Sequence, residues 1–197
     1  MTLAEQRHRH NCPPLPRLWL VTDEWRLPDP LPAIARLPVG GGVILRHHGW
    51  PGRRSLAVAV ARLCRRKRLV LLVANDWRLA AAIGAAGVHL AEGVSRAGRT
   101  APCRLWCRQR RALLSVAAHS IRAVHAASSL NADQCLLSQA FASASHPGAT
   151  PLGAVRFAML ARRSPLPIIA LGGLNRRSFR RLAPGCAHGW AAIDGLT

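Results

Sequence analysis

Apolar residues gather into eight short continuous runs rather than alternating with polar ones. They begin near Leu18 (LWLVT), Gly42 (GVIL), Leu69 (LVLLVA), Gly87 (GVHL), Ala112 (ALLSVA), Asp133 (DQCLL), Leu166 (LPIIALG) and Cys186 (CAHGWAAI). Unbroken apolar runs of this length fit parallel strands buried on both faces. Successive starts lie 18 to 33 residues apart, room for a helix and two loops in each gap. Helical patterns fill the gaps at 30–37, 54–65, 77–83, 121–128, 152–162 and 176–182. Asp76, Ser120 and Asn175 stand where N-caps belong, Pro151 opens a helix and Gly84 follows one. Eight strands alternating with helices predict an α/β fold, a single (β/α)8 TIM barrel over 17–197 behind an N-terminal tail, 1–16. An open doubly wound sheet is the runner-up, and the regular spacing of eight runs favours the barrel. The least patterned segment is 92–111, which holds six Arg and is read as a solvated basic helix.

Composition narrows the function classes. The chain has 197 residues, which suits one domain, and half of them are apolar, enough for a sizeable core. No apolar run reaches the roughly 18 residues of a membrane span, and the first residues show no secretory leader. Lys and Arg number 28 against 8 Asp and Glu, a formal charge of +20. Taken alone, that balance suggests a nucleic-acid or membrane-surface binder. However, Lys67 is the single Lys, Tyr is absent and Asn is scarce. This pattern reads as coding bias, so nucleic acid is not the expected partner. Six Cys, at 12, 64, 103, 107, 135 and 186, form no CxxC. Cys103 and Cys107 lie one helical turn apart without a second pair to complete a zinc site. Cys135 and Cys186 are expected within strands as small apolar residues. His8, His10 and Cys12 fall on the tail and are read as a solvated terminus. Nothing demands an oxidising compartment, so the expected location is cytoplasmic.

Barrel active sites lie at the C-terminal ends of the strands. There the sequence places Thr22-Asp23, Arg46-His47-His48, Asn75-Asp76, Glu92, His119, 143–146, Gly172-Gly173 and Asp194. The segment LGGLN at 171–175 leaves a strand and opens a helix, where glycines let backbone N–H groups approach a phosphate. A plain strand–helix turn favours glycine as well. Each candidate also has a structural reading. Asp76 either caps its helix or binds metal; Arg46 either pairs with Asp23 or Asp76 or meets a ligand. His119 can serve simply as the residue before a helix, and His89 as a satisfied core residue.

Several segments together go further. LWLVTD at 18–23, VILR at 43–46, VANDWRLAAAIGAAGVHLAEG at 73–93, SVAAHS at 115–120, FASASHPG at 141–148, PLG at 151–153 and PIIALGGLN at 167–175 run in family order. Together they resemble the thiamine phosphate synthase/thiazole tautomerase family of (β/α)8 barrels, from about Arg17 to Ile193. The resemblance implies a transferase of thiamine biosynthesis. In it a pyrimidine diphosphate loses pyrophosphate and the pyrimidine cation is captured by the nitrogen of a thiazole phosphate. It implies Mg²⁺ as cofactor and small phosphate and diphosphate substrates as partners. By matching position, Arg46 is the family Arg of the second strand, Asn75 a diphosphate-binding residue and Asp76 a Mg²⁺ ligand. Ser143 and Ser145 stand where the family has Thr, and Gly172 and Gly173 match the thiazole-phosphate loop.

The departures from the family pattern are as informative. Ile44 and His48 replace the family Gln and Lys of the second strand, and His146 replaces the Lys after the two hydroxyls. Val94 falls at the second metal-ligand position, which leaves Glu92 as the nearby carboxylate. Ala117 replaces a Ser, Asp194 stands where a Ser would meet the phosphate, and the usual last helix is lacking. The tautomerase branch would need a basic His near the end of the sixth strand, where this chain has Gln139, so His119 or His146 would have to substitute. Two further alternatives are a catalytically impaired member that binds a thiamine-related phosphate or a partner protein, and a polyanion binder driven by the charge.

Overall fold

In the computed structural model the described residues are 14–98, 100–143, 148, 150–194 and 196. The apolar runs become eight parallel strands: β1 (Leu18–Val21), β2 (Gly42–Leu45), β3 (Val70–Ala74), β4 (Gly87–Leu90), β5 (Leu113–Ala118), β6 (Gln134–Ser138), β7 (Ile168–Leu171) and β8 (Gly189–Ala192). Each strand pairs with its chain neighbour, and β8 closes on β1 through Leu18↔Trp190, Trp19↔Ala191 and Leu20↔Ala192. The sheet is therefore a closed barrel, as the spacing predicts. The helices are α1 (Leu31–Arg36), α2 (Arg53–Lys67), α3 (Trp77–Ile83), α4 (Glu92–Arg96), α5 (Ala101–Arg110), α6 (Ile121–Ser129), α7 (Gly153–Arg162) and α8 (Arg176–Phe179). None of these helices is long and apolar enough to cross a membrane.

Two apolar layers hold this arrangement. Side chains pointing inward, among them Trp19, Val21, Ile44, Leu72, Leu136 and Ile169, fill the barrel. The opposite faces of the strands pack against the helices through residues such as Val43, Val60, Val73, Val116, Val124 and Phe157. Trp19 is fully buried, and its Nε1–H donates to the Pro16 carbonyl at 2.9 Å, so the indole nitrogen is satisfied inside the core. A polar trio also lies inside: His89 Nδ1 meets Ser115 Oγ at 3.0 Å, and Gln134 Nε2 donates to the same oxygen at 3.4 Å.

The N-caps act as expected. Asp76 accepts from Leu79 N at 2.9 Å, Ser120 from Ala123 N at 3.2 Å, and Asn175 from Ser178 N at 2.8 Å. Elsewhere the boundaries differ. Segment 92–111 holds two helices, α4 and α5: Gly98 turns the chain at φ +71°, and Pro102 sits in the first turn of the second. Helix α8 is a single turn, Arg176–Phe179, rather than the span 176–182. Cys186 lies in the loop before β8, buried but outside the strand. Among the described residues no helix follows β8.

Candidate functional site

The C-terminal ends of the strands form one mouth. At its β1–β2 side, Arg46 N–H donates to Thr22 Oγ1 at 3.0 Å, and Thr22 Oγ1 lies 2.9 Å from His47 Nδ1. The other ring nitrogen of His47, Nε2, lies 3.3 Å from the Pro28 carbonyl. Both contacts are satisfied when Thr22 O–H donates to Nδ1 and Nε2–H donates to Pro28. This buried chain fixes the backbone of Arg46, whose guanidinium then pairs with Asp23 at 3.3 Å. The sequence places His47 at the barrel mouth without a role, and the structure gives it one, as a buried link between Thr22 and Pro28.

Arg46, His119, Ser143, Gly172 and Gly173 line a single cavity of about 500 Å³. Arg26, Gln139, Asn175 and Asp194 line it as well. Two glycines shape its wall because side chains would not fit. A Cβ on Gly172 would lie 2.8 Å from Gln139 Cγ, and one on Gly173 only 2.2 Å from the Ala142 carbonyl oxygen. Their φ values, +97° and +62°, also favour glycine. Arg26 pairs with Asp194, so the carboxylate after β8 meets a guanidinium within the fold.

The remaining candidates cluster beside the cavity. Asn75, at φ +57°, accepts the Ala91 N–H at 2.8 Å through its side-chain oxygen and so ties the end of β3 to the loop after β4. Arg53, at the start of α2, reaches Asp76 at 3.2 Å and the Ala74 carbonyl at 3.0 Å. Nothing in the sequence pattern marked Arg53, because its partner lies 23 residues away. Glu92 accepts both the backbone N–H of His119 at 2.9 Å and a contact from its Nδ1 at 2.7 Å, and Arg96 lies 3.5 Å away. His48 has its pKa lowered by partial burial, then by the charges of Arg53 and Arg46, against weaker opposing effects from Glu24 and Asp76. It is therefore neutral at pH 7, unlike the Lys the family pattern would place there. Ser145 and His146 lie outside the described residues, as do His8, His10 and Cys12.

A resident Mg²⁺ does not fit this donor set. Asp76 spends one oxygen on its helix cap and the other on Arg53, while Glu92 is held by His119 and Arg96. Among the described residues no group of three or more His, Cys, Asp or Glu side chains is gathered to hold a metal ion. The positive charge at this mouth comes from guanidinium groups instead.

Comparison with known proteins agrees with the fold and extends it. The chain is 30% identical over 193 residues to the thiamine-phosphate synthase of Methylobacillus flagellatus, covering 95% of this chain and 90% of that protein. It is 31% identical over 194 residues to the thiamine-phosphate synthase of Bordetella bronchiseptica, covering 91% and 86%. The structure resembles thiamine phosphate pyrophosphorylase from Pyrococcus furiosus with a TM-score of 0.72 at 20% identity, over 90% of this chain and 85% of that one. It also resembles 3-keto-L-gulonate-6-phosphate decarboxylase from Vibrio cholerae, with a TM-score of 0.66 at 11% identity, over 90% and 88%. At such identities the structural likenesses speak for the barrel alone. Residues 18–196 match the thiamine monophosphate synthase family, and the chain belongs to that family.

Proposed function

We propose that the protein is a thiamine-phosphate synthase, joining a pyrimidine diphosphate to a thiazole phosphate with release of pyrophosphate. The observation that carries this reading is the single cavity shared by Arg46, Ser143, Gly172 and Gly173, four positions that match the family's motifs. The bond from the pyrimidine methylene carbon to the diphosphate oxygen breaks, and its electron pair leaves with the diphosphate. The thiazole nitrogen then gives its lone pair to that carbon. Such a step needs little acid or base; it needs negative charge stabilised as it develops on the leaving oxygen. Arg46 and Arg53 supply that stabilisation, with Asn75 and the hydroxyls of Ser143 and Ser145 as hydrogen-bond donors. Asp23 and Asp76 hold the two guanidinium groups in place. His48 and His146 stand at the Lys positions, and His48 contributes a neutral donor. The Gly172–Gly173 turn receives the phosphate of the thiazole, and His119, tied to Glu92, lines the same cavity.

Incubating the full chain with both substrates, with and without added Mg²⁺, tests the reading. Thiamine phosphate and pyrophosphate should appear, and Arg46→Ala should lower kcat/KM by about a hundredfold, as expected when a charge-stabilising group is removed. Tight binding of both substrates with no product would instead favour a member of the family that binds without turnover. Engagement of both carboxylates, Asp76 and Glu92, is what favours that second reading.

A further inference from the structure

The turn after β1 brings to the cavity a guanidinium that the sequence pattern did not mark. Asp23 Oδ1 accepts from the backbone N–H groups of Trp25 and Arg26, both at 3.1 Å, and the Asp23 carbonyl accepts from Leu27 N at 2.9 Å. The other oxygen of the same carboxylate holds Arg46 at 3.3 Å. One acid thus fixes the backbone of Arg26 and the side chain of Arg46 together. From that turn the Arg26 side chain crosses to β8 and pairs with Asp194, just past the last strand residue, Ala192. Both members line the cavity of about 500 Å³ that Gly172 and Gly173 also line. The guanidinium is the more enclosed of the two, 26% exposed against 60% for the carboxylate. A pair this open to solvent contributes little to stability, so its place on the cavity wall is what calls for a role.

A phosphate seated on the Gly172–Gly173 turn carries more than one negative charge at neutral pH and shares its cavity with the Asp194 carboxylate. Like charges in so small a space repel unless a cation stands with them. We infer that Arg26 is the residue that makes this wall select a phosphate: its guanidinium bonds the phosphate oxygens while Asp194 holds it in place. That the phosphate belongs to a thiazole rests on the synthase reading above. A planar guanidinium presents five N–H donors in a fixed fork, a geometry that serves a carboxylate and a phosphate at once. Arg26 therefore recognises and positions the substrate and takes no part in making or breaking bonds.

Binding measured by calorimetry on the full chain tests this, with two probes: the thiazole phosphate and the same thiazole carrying a free hydroxyl. Wild-type protein should prefer the phosphate. Arg26→Ala should weaken the phosphate about thirtyfold, the scale of a hydrogen bond to a charged group, and leave the alcohol unchanged. Arg26→Lys should keep part of the affinity, and Arg26→Gln reads the same way as the Ala variant should that one not fold. Asp194→Ser should instead tighten the phosphate severalfold, because a like charge leaves the wall. Combined with Arg26→Ala it should recover part of the loss. A pair that merely braced the loop after β1 against β8 would fail alike in both single variants and weaken both probes, and that pattern overturns the inference. Opposite responses of the two variants in a protein that makes no product would leave the inference standing and overturn the synthase reading alone. Turnover with a phosphate preference indifferent to Arg26 would do the reverse. Failure of wild type to bind the thiazole phosphate would overturn both.

Discussion

His89 shows how far a single buried side chain can set the behaviour of this barrel. Its imidazole sits inside the sheet, bonded to Ser115, and burial first, then the charges of Arg46 and His48, push its pKa down to about 3. In the unfolded chain the same group titrates near 6.5. Between those values the unfolded state binds a proton that the folded state refuses, so stability is lost as pH falls. The contribution is fully present above 6.5, declines by about 1.4 kcal/mol per pH unit below it, and stops declining near 3. Urea unfolding between about pH 7 and about pH 5.5 should therefore show a loss of about 1 kcal/mol from this group. His89→Gln should remove that part of the slope, and an unchanged slope would place the acid sensitivity elsewhere. The same physics separates His48 from the Lys it replaces. A Lys would carry its charge at pH 7, whereas His48, beside two guanidinium groups, does not. At this mouth the scarce Lys is answered by Arg from other elements, Arg53 from α2 and Arg26 from the loop after β1.

Strand β2 begins with glycine for a reason found in β1. A Cβ at Gly42 would lie 2.2 Å from the ring of Trp19, which is packed without any exposure against the start of β2. Neither ring nor strand can yield without opening the β1–β2 ladder, in which Trp19 is the direct partner of Gly42. Gly42→Ala should therefore destabilise the protein by about 3 kcal/mol, at the upper end for overpacking, read as a lower Tm and urea midpoint. Gly42→Ala combined with Trp19→Leu should recover part of that loss. The strands themselves were legible because burial on both faces leaves a continuous apolar run, and their spacing sufficed for closure. Boundaries were less so where apolar residues serve loops: Cys186 and Ala187 pack beneath β8 without joining it. In 92–111 the charge of six Arg masked two helices whose break, Gly98, and start, Pro102, were both present in the sequence. Among site residues, strand ends located Arg46, His119, Ser143 and the glycine turn, because barrel topology alone brings them together. Arg53 and Arg26 escaped, since each acts through an ion pair across the mouth that no local pattern encodes. Gln139 was visible only as a departure from a family position; that its buried amide lacks partners is something only packing reveals.

At the scale of the whole molecule, charge is where sequence and fold meet least comfortably. The chain carries 28 basic residues and 8 acidic ones. Asp23, Asp76, Glu92 and Asp194 each hold an Arg, and all four of these pairs lie around the barrel mouth. Few acids are left to offset the Arg on the outer helices, where α2 ends in Arg65, Arg66 and Lys67 and α5 in Arg108 and Arg110. Such an exterior repels itself, and the repulsion is greatest in the compact state. Salt should relieve it: raising NaCl from about 20 mM to about 300 mM shortens the Debye length from roughly 20 Å to below 10 Å, comparable to the spacing of neighbouring helices. Tm should rise over that range. A fall would mean that the exposed ion pairs outweigh the repulsion, contrary to the small worth of such pairs. The same titration separates a diffuse basic surface from a built anion site. At matched ionic strength, pyrophosphate should raise Tm further than chloride does, because it binds the folded mouth and not the unfolded chain. Arg46→Ala should remove the extra rise while keeping the common response to salt. If the extra rise persisted in that variant, anions would be held by the general Arg surface, and the mouth would lose its claim to them.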